Sequence, residues 1–443
     1  MTSRDTIAAI STAYGKSAIG IIRASGDNIT SIINDFIRRE LHPRMATNAK
    51  IYDRGGTLID DVVVIYYKAP SSYTGEDMLE IQSHGNPITM DLILEIICNS
   101  HARLSKPGEF TERAFMNDKI DLIQAEAISD FINASHLNAS KAAMMTLQGN
   151  FSKKIKGLID KIVTLRANIE ACINFLEDDS PQNSNKDTTE GINSLIGDLR
   201  KLIESVDAGI KVNKKPIVAI IGKPNVGKSS LANCLLGEDS SIVSSIPGTT
   251  RDALHHDLVL NKNNITIIDT AGLRNTTDVV EVKGIEVTKK SIHNATMILY
   301  VVDDSIGYDK TDKAILFENN ISDYWIINNK IDLTESNPVI LNKDGVTHFH
   351  VSTKSMDGIN TLLEKLSKKA VPNDETTGTA RMRHKELLSS SLSHLSAGLE
   401  HNNQLELVAE ELRIAHSSLV AIMGGDVTED LLDKIFSDFC IGK

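Results

Sequence analysis

Tryptophan occurs once, cysteine four times and proline ten times in 443 residues, and aromatic side chains make up only 4% of the chain. The cysteines, Cys98, Cys172, Cys234 and Cys440, lie far apart with no CxxC pair. That excludes a disulfide framework and a cysteine zinc site, and fits scattered reduced thiols. Excess basic charge is missing too: 47 Lys and Arg stand against 59 Asp and Glu, a net charge of −12. Residues 1–118 carry 12 basic and 15 acidic groups, 119–210 carry 10 and 13, 211–370 carry 19 and 19, and 371–443 carry 6 and 12. No segment has the electrostatic footprint of a nucleic-acid-binding domain, so any RNA contact must use a local patch or a partner protein. No apolar run reaches the roughly 18 residues of a spanning helix, and MTSRDTIAAIST has no apolar h-region. The expectation is a cytoplasmic protein with no membrane contact.

What is present is an ordinary globular balance, 41% apolar and 24% charged, long enough for about three domains. Residues 1–118 mix strand-like pieces (Asp61–Tyr67) with helical ones (Met90–Cys98), the texture of an α+β domain. From 119 to 210 apolar residues recur at helical spacing, as in Leu158, Ile162, Leu165 and Ile169. The polar stretch Glu177–Thr189, with Pro181 inside it, reads as a loop between long helices, and Lys211–Lys215 as a basic hinge. Residues 211–370 alternate strands (Pro216–Ile221, Asn264–Asp269, Met297–Asp303, Trp325–Asn329, Phe349–Ser352) with helical patterns, which predicts a mostly parallel sheet. Residues 371–443 are helical again, with a helix through Val408, Leu412, Ala415, Leu419 and Ile422 ended by Gly424-Gly425. Asp426-x-x-Glu429 reads as a capping box for the next one. Neither helical piece makes a generous core alone, so the two form one all-α domain into which the parallel α/β domain is inserted.

Chemistry concentrates in that inserted domain. Gly222-Lys223-Pro224-Asn225-Val226-Gly227-Lys228-Ser229 matches G-x-x-x-x-G-K-[ST] between a strand and a helix beginning near Ser230. Such a loop wraps phosphates with backbone N–H groups, its Lys neutralises charge and its Ser hydroxyl ligates Mg²⁺. Downstream, Thr249-Thr250-Arg251 lies in a polar loop where Thr250 can reach Mg²⁺. Asp269-Thr270-Ala271-Gly272 ends a strand, placing Asp269 near the metal and Gly272 by the γ-phosphate. Asn329-Lys330-Ile331-Asp332 ends another; the Asp332 carboxylate can accept from both guanine N1–H and the exocyclic amine, a donor pair adenine lacks. Ser352-Thr353-Lys354 could present a backbone N–H to guanine O6. Four such motifs in order at strand ends predict GTP binding. Where small GTPases carry a water-orienting Gln after D-x-x-G, this chain has Leu273, so another group must orient water. Arg251, Arg274 and Glu281 are the nearby polar candidates.

The string GKPNVGKSSLAN with PGTTRD and DTAGLR resembles the translation-factor-related GTPases, with a Ras-like P-loop fold implied. Thr6–Gly26, Ser72–Gly85, Lys106–Ala127 and the terminal Cys440-Ile441-Gly442-Lys443 narrow the likeness, over essentially the full length, to the tRNA-modification GTPase MnmE (TrmE) family. The resemblance implies a GTPase that acts with a flavoprotein partner, MnmG, in a heterotetramer or larger complex. The pair would add an aminomethyl or carboxymethylaminomethyl group at C5 of the tRNA wobble uridine, FAD being held by the partner only. It implies a tetrahydrofolate derivative (5-formyl or 5,10-methylene) in an N-terminal domain that makes a homodimer, with Arg23, Glu80, Lys119 and Lys443 at the folate-contacting positions. Without the resemblance, Arg23 and Glu80 read as surface charges at strand ends. It also implies K⁺ beside the phosphates in place of an arginine finger, held by Asn225, Ser244, Ile246 and Thr249, with Glu281 placing the attacking water. The nucleotide-binding set so implied takes in Asn225, Val226, Gly227, Lys228, Ser229 and Ser230, and then Ser244, Ser245, Ile246, Pro247, Gly248, Thr249 and Thr250. Cys440 is the family's terminal cysteine, of open chemical role. A ribosome-assembly-type GTPase, the alternative class sharing PNVGKSS and TTRD, lacks the PGEFTERAF stretch and the terminal CIGK.

Overall fold

The computed structural model describes residues 5–174, 181–237, 255–261, 263–269, 295–318, 321, 323–369, 378–401, 404–425, 427–437 and 439–443. The chain divides into two compact units: 1–130 with 144–206 and 381–443, and 131–143 with 207–380.

The first unit opens on a sheet whose residues alternate inward and outward. Strands β1 (Ile7–Ile10), β2 (Ser17–Ser25), β3 (Thr47–Tyr52), β4 (Leu58–Tyr67), β5 (Met78–Gly85) and β6 (Arg103–Leu104) lie in the order β3-β4-β5-β2-β1-β6. All neighbours are antiparallel except β1 and β6. In β4 the period of two buries Val62, Val64 and Tyr66. Helix α1 (Ile29–Ile32), the π-turn Ile33–Ile37 and helix α2 (Pro87–Cys98) cover that face with Ile29, Ile32, Phe36, Met90, Ile93 and Ile97. Each such side chain contributes roughly 1.5–3 kcal/mol of burial. Helix α2 starts where it does because Asn86 accepts from the Ile88 amide at 3.0 Å and Pro87 needs no amide partner at the first position.

Helices α3 (Glu109–Met116), α4 (Leu122–Ile132), α5 (Leu137–Leu147), α6 (Asn150–Asn174) and α7 (Pro181–Asn213) follow. The division into units passes through α5 and α7. The expected Glu177–Thr189 loop is corrected here: α7 already begins at Pro181, because the first helical position is the one where proline costs nothing. The helix also runs through most of the expected basic hinge, to Asn213.

Seven strands form the second unit's sheet: β7 (Ile217–Gly222), β8 (His255–Leu260), β9 (Asn263–Asp269), β10 (Met297–Asp303), β11 (Tyr324–Asn329), β12 (Ile340–Lys343) and β13 (Val346–His350). Their order is β12-β13-β11-β10-β7-β9-β8, parallel within and antiparallel at both edges. The edge strands β8 and β12 carry weak patterns that the sequence reading passed over. Helix α8 (Lys228–Leu236) starts two residues before the expected Ser230. It is followed by α9 (Lys310–Glu318), α10 (Ile331–Thr334) and α11 (Ile359–Lys369). Alternate residues of the central strands feed two cores, Val218, Ile220, Leu299 and Val301 on one face and Ala219, Ile221, Ile298 and Tyr300 on the other. Both faces being covered is what lets these strands be apolar throughout.

The chain closes with α12 (Met382–Glu400), α13 (Leu405–Met423) and α14 (Glu429–Ser437). Gly424 ends α13 in the left-handed region at φ 100°, as its glycine predicted. Helix α14 begins at Glu429 with the Thr428 carbonyl accepting from Leu432 at 3.2 Å, so the turn starts two residues later than the capping-box reading placed it. Asp426 itself lies outside the described residues.

A buried charge network joins α4 to α12 and α13. Arg383 donates to both oxygens of Glu126 at 2.7 and 2.8 Å and to the Ile422 carbonyl at 3.1 Å. His384 Nδ1 accepts from the Arg381 amide at 3.2 Å, which fixes the Nε2–H tautomer that donates to Glu126 at 2.8 Å. Arg381 reaches Asp130 at 2.9 Å. Burial alone would raise the Glu126 carboxyl, but the bonds from His384 and Arg383 outweigh it and hold it at about 2. Burial pushes the His384 imidazole down, which keeps it neutral. Removing one partner of such a pair strands buried charge, so Glu126→Ala is expected to destabilise the first unit by about 3–5 kcal/mol in urea unfolding. Both groups have folded values below their unfolded ones. Their stabilisation is therefore complete at neutral pH and declines as pH falls, first below the unfolded histidine value near 6.5 and then below the glutamate value near 4.5. Unfolding midpoints measured from pH 8 to 4 should fall along that profile, and His384→Gln should flatten the upper limb.

Candidate nucleotide site

The motifs sit where a parallel sheet opens, at the carboxyl ends of β7, β9, β10 and β11. Ile220 of β7 pairs with Asp269, the last residue of β9. The loop from Gly222 to Gly227 turns with Gly222 at φ 147°, Asn225 at φ 63° and Gly227 at φ 93°. Two of these glycines are required. A Cβ at Gly222 would lie 2.3 Å from the Val301 carbonyl oxygen, and one at Gly227 2.3 Å from Asn329 Nδ2.

Asn329 is fully buried and holds the loop from below. Its Nδ2 donates to the Val226 carbonyl at 3.0 Å, and its Oδ1 accepts from the Thr353 amide at 3.2 Å. Lys330, at φ 70°, donates to the Asn225 carbonyl and to Asp303, both at 2.7 Å. Burial would raise the Asp303 carboxyl, but Lys330 and Ser305 outweigh it and keep it ionised. Lys228 Nζ donates to the Lys223 carbonyl at 2.7 Å, arching back over the loop. Ser229, the next residue of α8, is exposed.

At the N-K-x-D end, the Ser352 hydroxyl donates to Asp332 at 2.7 Å and accepts from the Lys354 and Ser355 amides at 3.2 Å. Asp332 is exposed. The Thr353 amide, which the sequence suggested for guanine O6, is taken by Asn329 here, so the Ser352–Lys354 turn is shaped by internal bonds. Cys234 of α8 donates to the Thr353 carbonyl at 3.2 Å, its thiol pushed up by burial.

Ser244, Ser245, Ile246, Pro247, Gly248, Thr249, Thr250, Arg251, Thr270, Ala271, Gly272, Leu273, Arg274 and Glu281 lie outside the described residues. Ser230 is exposed on α8. Ser229 at the start of α8 and Asp269 at the end of β9 carry oxygen donors of the hard type that Mg²⁺ takes.

In the first unit, Arg23 and Glu80 are cross-strand partners near the ends of β2 and β5, and they are half-buried against each other rather than free surface charges. Arg23 Nε and Nη2 both bond Glu80 Oε1, at 3.1 and 2.7 Å, and Tyr67 donates to Oε2 at 3.3 Å. The guanidinium lies 5.6 Å from the Tyr73 ring centre and 5.8 Å from that of Phe110. The terminal segment comes to the same place: the Gly442 carbonyl accepts from Ser11 at 3.0 Å and from Arg23 at 3.5 Å, and the Cys440 carbonyl from the Gly108 amide at 3.4 Å. Cys440 is exposed with a free thiol. Lys119 bonds the Pro70 carbonyl at 3.0 Å, beside the loop that carries Tyr73. Ser11, Tyr67, Tyr73 and Phe110 are not legible from sequence, because they come from the end of β1, from β4, from a loop and from α3, which only the tertiary fold gathers around Arg23, Glu80 and Gly442. Asp303 was findable, since an acidic residue closes the apolar run MILYVVD.

A Gly-rich loop between strand and helix, held by the N-K-x-D motif at the end of the next strand but one, defines a P-loop GTPase. Two family models match the chain: the GTP-binding protein TrmE N-terminus over residues 6–119 and the MnmE helical domain over 122–440. The tRNA modification GTPase MnmE of Francisella tularensis subsp. novicida (strain U112) is 40% identical over 467 residues, covering 100% of both chains. That of Mannheimia succiniciproducens is 39% identical over 455 residues, again covering 100% of both. Among solved structures, Aquifex aeolicus Era bound to GDP.AlF4- is 25% identical over 40% of this chain and 66% of that one, with a TM-score of 0.28. The chain belongs to the MnmE (TrmE) family of tRNA-modification GTPases, and as a member it is a GTP hydrolase, taking GTP to GDP and phosphate, in tRNA modification. The ribosome-assembly alternative is thereby set aside.

Because Asn329 links the phosphate loop to the base-reading turn, Asn329→Ala should weaken GTP and ATP alike, by about tenfold or more. Asp332→Asn should instead erode the preference for GTP over ATP. Competition titrations with a fluorescent guanine nucleotide separate the two outcomes.

Proposed function

We propose that this chain is a K⁺-dependent GTPase that drives addition of an aminomethyl or carboxymethylaminomethyl group at C5 of the tRNA wobble uridine, together with a flavoprotein partner of the MnmG type that alone carries FAD. The observation that carries the reading is the meeting of the Arg23–Glu80 pair with the terminal segment, whose Gly442 carbonyl accepts from Arg23 although the two residues are 419 positions apart in sequence. An N-terminal domain of residues 1–118 would bind a tetrahydrofolate and form the homodimer. Helical pieces 119–210 and 371–443 would flank the GTPase domain 211–370. The whole would work in the cytoplasm.

The mechanism follows from the chain's own residues. Backbone amides of the loop 222–228 bind the phosphates, and Lys228 leaves the Lys223 carbonyl to neutralise them. Ser229 and Thr250 would hold Mg²⁺, with Asp269 near it, and Asn225, Ser244, Ile246 and Thr249 would hold K⁺. When bound, the cations neutralise charge on the phosphate oxygens. Leu273 cannot polarise water; Glu281, the position the family resemblance implies, would orient it, with Arg251 and Arg274 as further candidate charges. Asp332, aligned by Ser352, selects guanine. In the folate site, the paired Arg23 and Glu80 with the stacked Tyr73 and Phe110 rings form a preorganised polar wall, and Lys119 and Lys443 are the cations left for a carboxylate tail.

GTP turnover is expected to rise strongly in KCl over NaCl at equal ionic strength. Glu281→Ala should leave GTP affinity unchanged while turnover falls by about two orders of magnitude or more. Equal slow rates in both salts would remove the K⁺ reading, and fully modified wobble uridine in tRNA from cells lacking the chain would remove the tRNA one.

A further inference from the structure

The side chain of Lys223, a variable position of the G-x-x-x-x-G-K-S motif, reaches the start of α9. Its Nζ lies 2.9 Å from Asp309 Oδ2 and 3.0 Å from Asp312 Oδ1. These two carboxylates form a reciprocal cap at the start of α9. Asp309 Oδ1 accepts from the Asp312 amide at 2.9 Å, and Asp312 Oδ2 accepts from the Asp309 amide at 3.0 Å. Each therefore spends one oxygen on the helix end and has the other for Lys223. Asp312 is 1% exposed, and its Oδ1 also accepts from the Tyr300 hydroxyl of β10 at 2.8 Å. A carboxylate that deep needs a cation, and among the described residues Lys223 is the one in ion-pair reach of it.

We propose that Lys223 is a positioning residue for GTP binding: docked on the cap of α9, it sets the direction of its own carbonyl, to which the Lys228 ammonium is held before nucleotide arrives. The loop is thus fastened on two sides. Asn329 and Lys330 hold the carbonyls of Val226 and Asn225, while Asp309 and Asp312 hold Lys223. Pro224, between the two, has no amide to donate and a fixed φ, so it passes the constraint along the loop.

The test is titration of the full-length protein with a fluorescent GDP analogue, alongside GTP turnover. Lys223→Met is expected to weaken binding about tenfold, while Lys223→Arg, which can still bridge both carboxylates, stays within about twofold of the parent. The fall should sit in KM more than in kcat, and the preference for GTP over ATP should be unchanged. Asp309→Asn, at an exposed position, should shift binding in the same direction without threatening the core. Combining Lys223→Met with Asp312→Asn should weaken binding no further than Lys223→Met alone, because both act through one contact. Wild-type affinity in Lys223→Met would overturn the proposal. So would equal weakening by Met and Arg together with a lowered thermal midpoint, which is the signature of general destabilisation.

Discussion

One buried amide, that of Asn329, is the contact on which the nucleotide site depends. A phosphate cradle is made of backbone N–H groups and must keep its interior clear of side chains, so its own residues cannot brace it. Asn329 braces it from outside, donating to the Val226 carbonyl and accepting from the Thr353 amide. The same side chain occupies the space a Cβ at Gly227 would need, which is why that position is glycine. The Gly222–Gly227 loop and the Ser352–Lys354 turn are therefore one mechanical unit, tied together through Asn329. Lys330 and Asp303 extend this to the end of β10, and Lys223 with the cap of α9 extends it further.

The first unit solves a different problem, that of closing a chain whose parts are widely separated in sequence. It does so with polar groups that satisfy one another. Glu126 gathers Arg383 and His384 from more than 250 residues away, and Arg23 gathers Glu80 and the Gly442 carbonyl. Apolar packing is tolerant of register, whereas a buried carboxylate accepts only a partner that arrives at the right atom. Gly442 sits at φ 88°, and a Cβ there would lie 2.4 Å from the Ile10 carbonyl oxygen, which shows how close the terminal segment must come.

Much of this was legible in advance. The strand ends carrying Gly222, Asp269 and Asn329 were readable because a parallel strand buried on both faces is an unbroken apolar run, and the polar residue that ends it marks the mouth of the sheet. The full-length resemblance located the family as well. Less legible were the features that depend on position rather than type. Pro181 was read as a loop residue although it opens a helix of 33 residues, since proline is compatible with both. Arg23 and Glu80 have the composition of surface charges, and only the register of β2 against β5 makes them a pair.

The sequence by itself determined the class of chemistry, because phosphate binding, guanine selection and metal ligation each require particular residue types at short fixed spacing. Tertiary structure decided which side chains serve those residues. Asp309 and Asp312 at Lys223, Asn329 beneath Gly227, and Tyr73 and Phe110 around Arg23 are neighbours only in space. Local motifs record what the backbone does within a few residues. The contacts that hold a motif in place are set by strand order and helix packing, whose partners lie far apart along the chain.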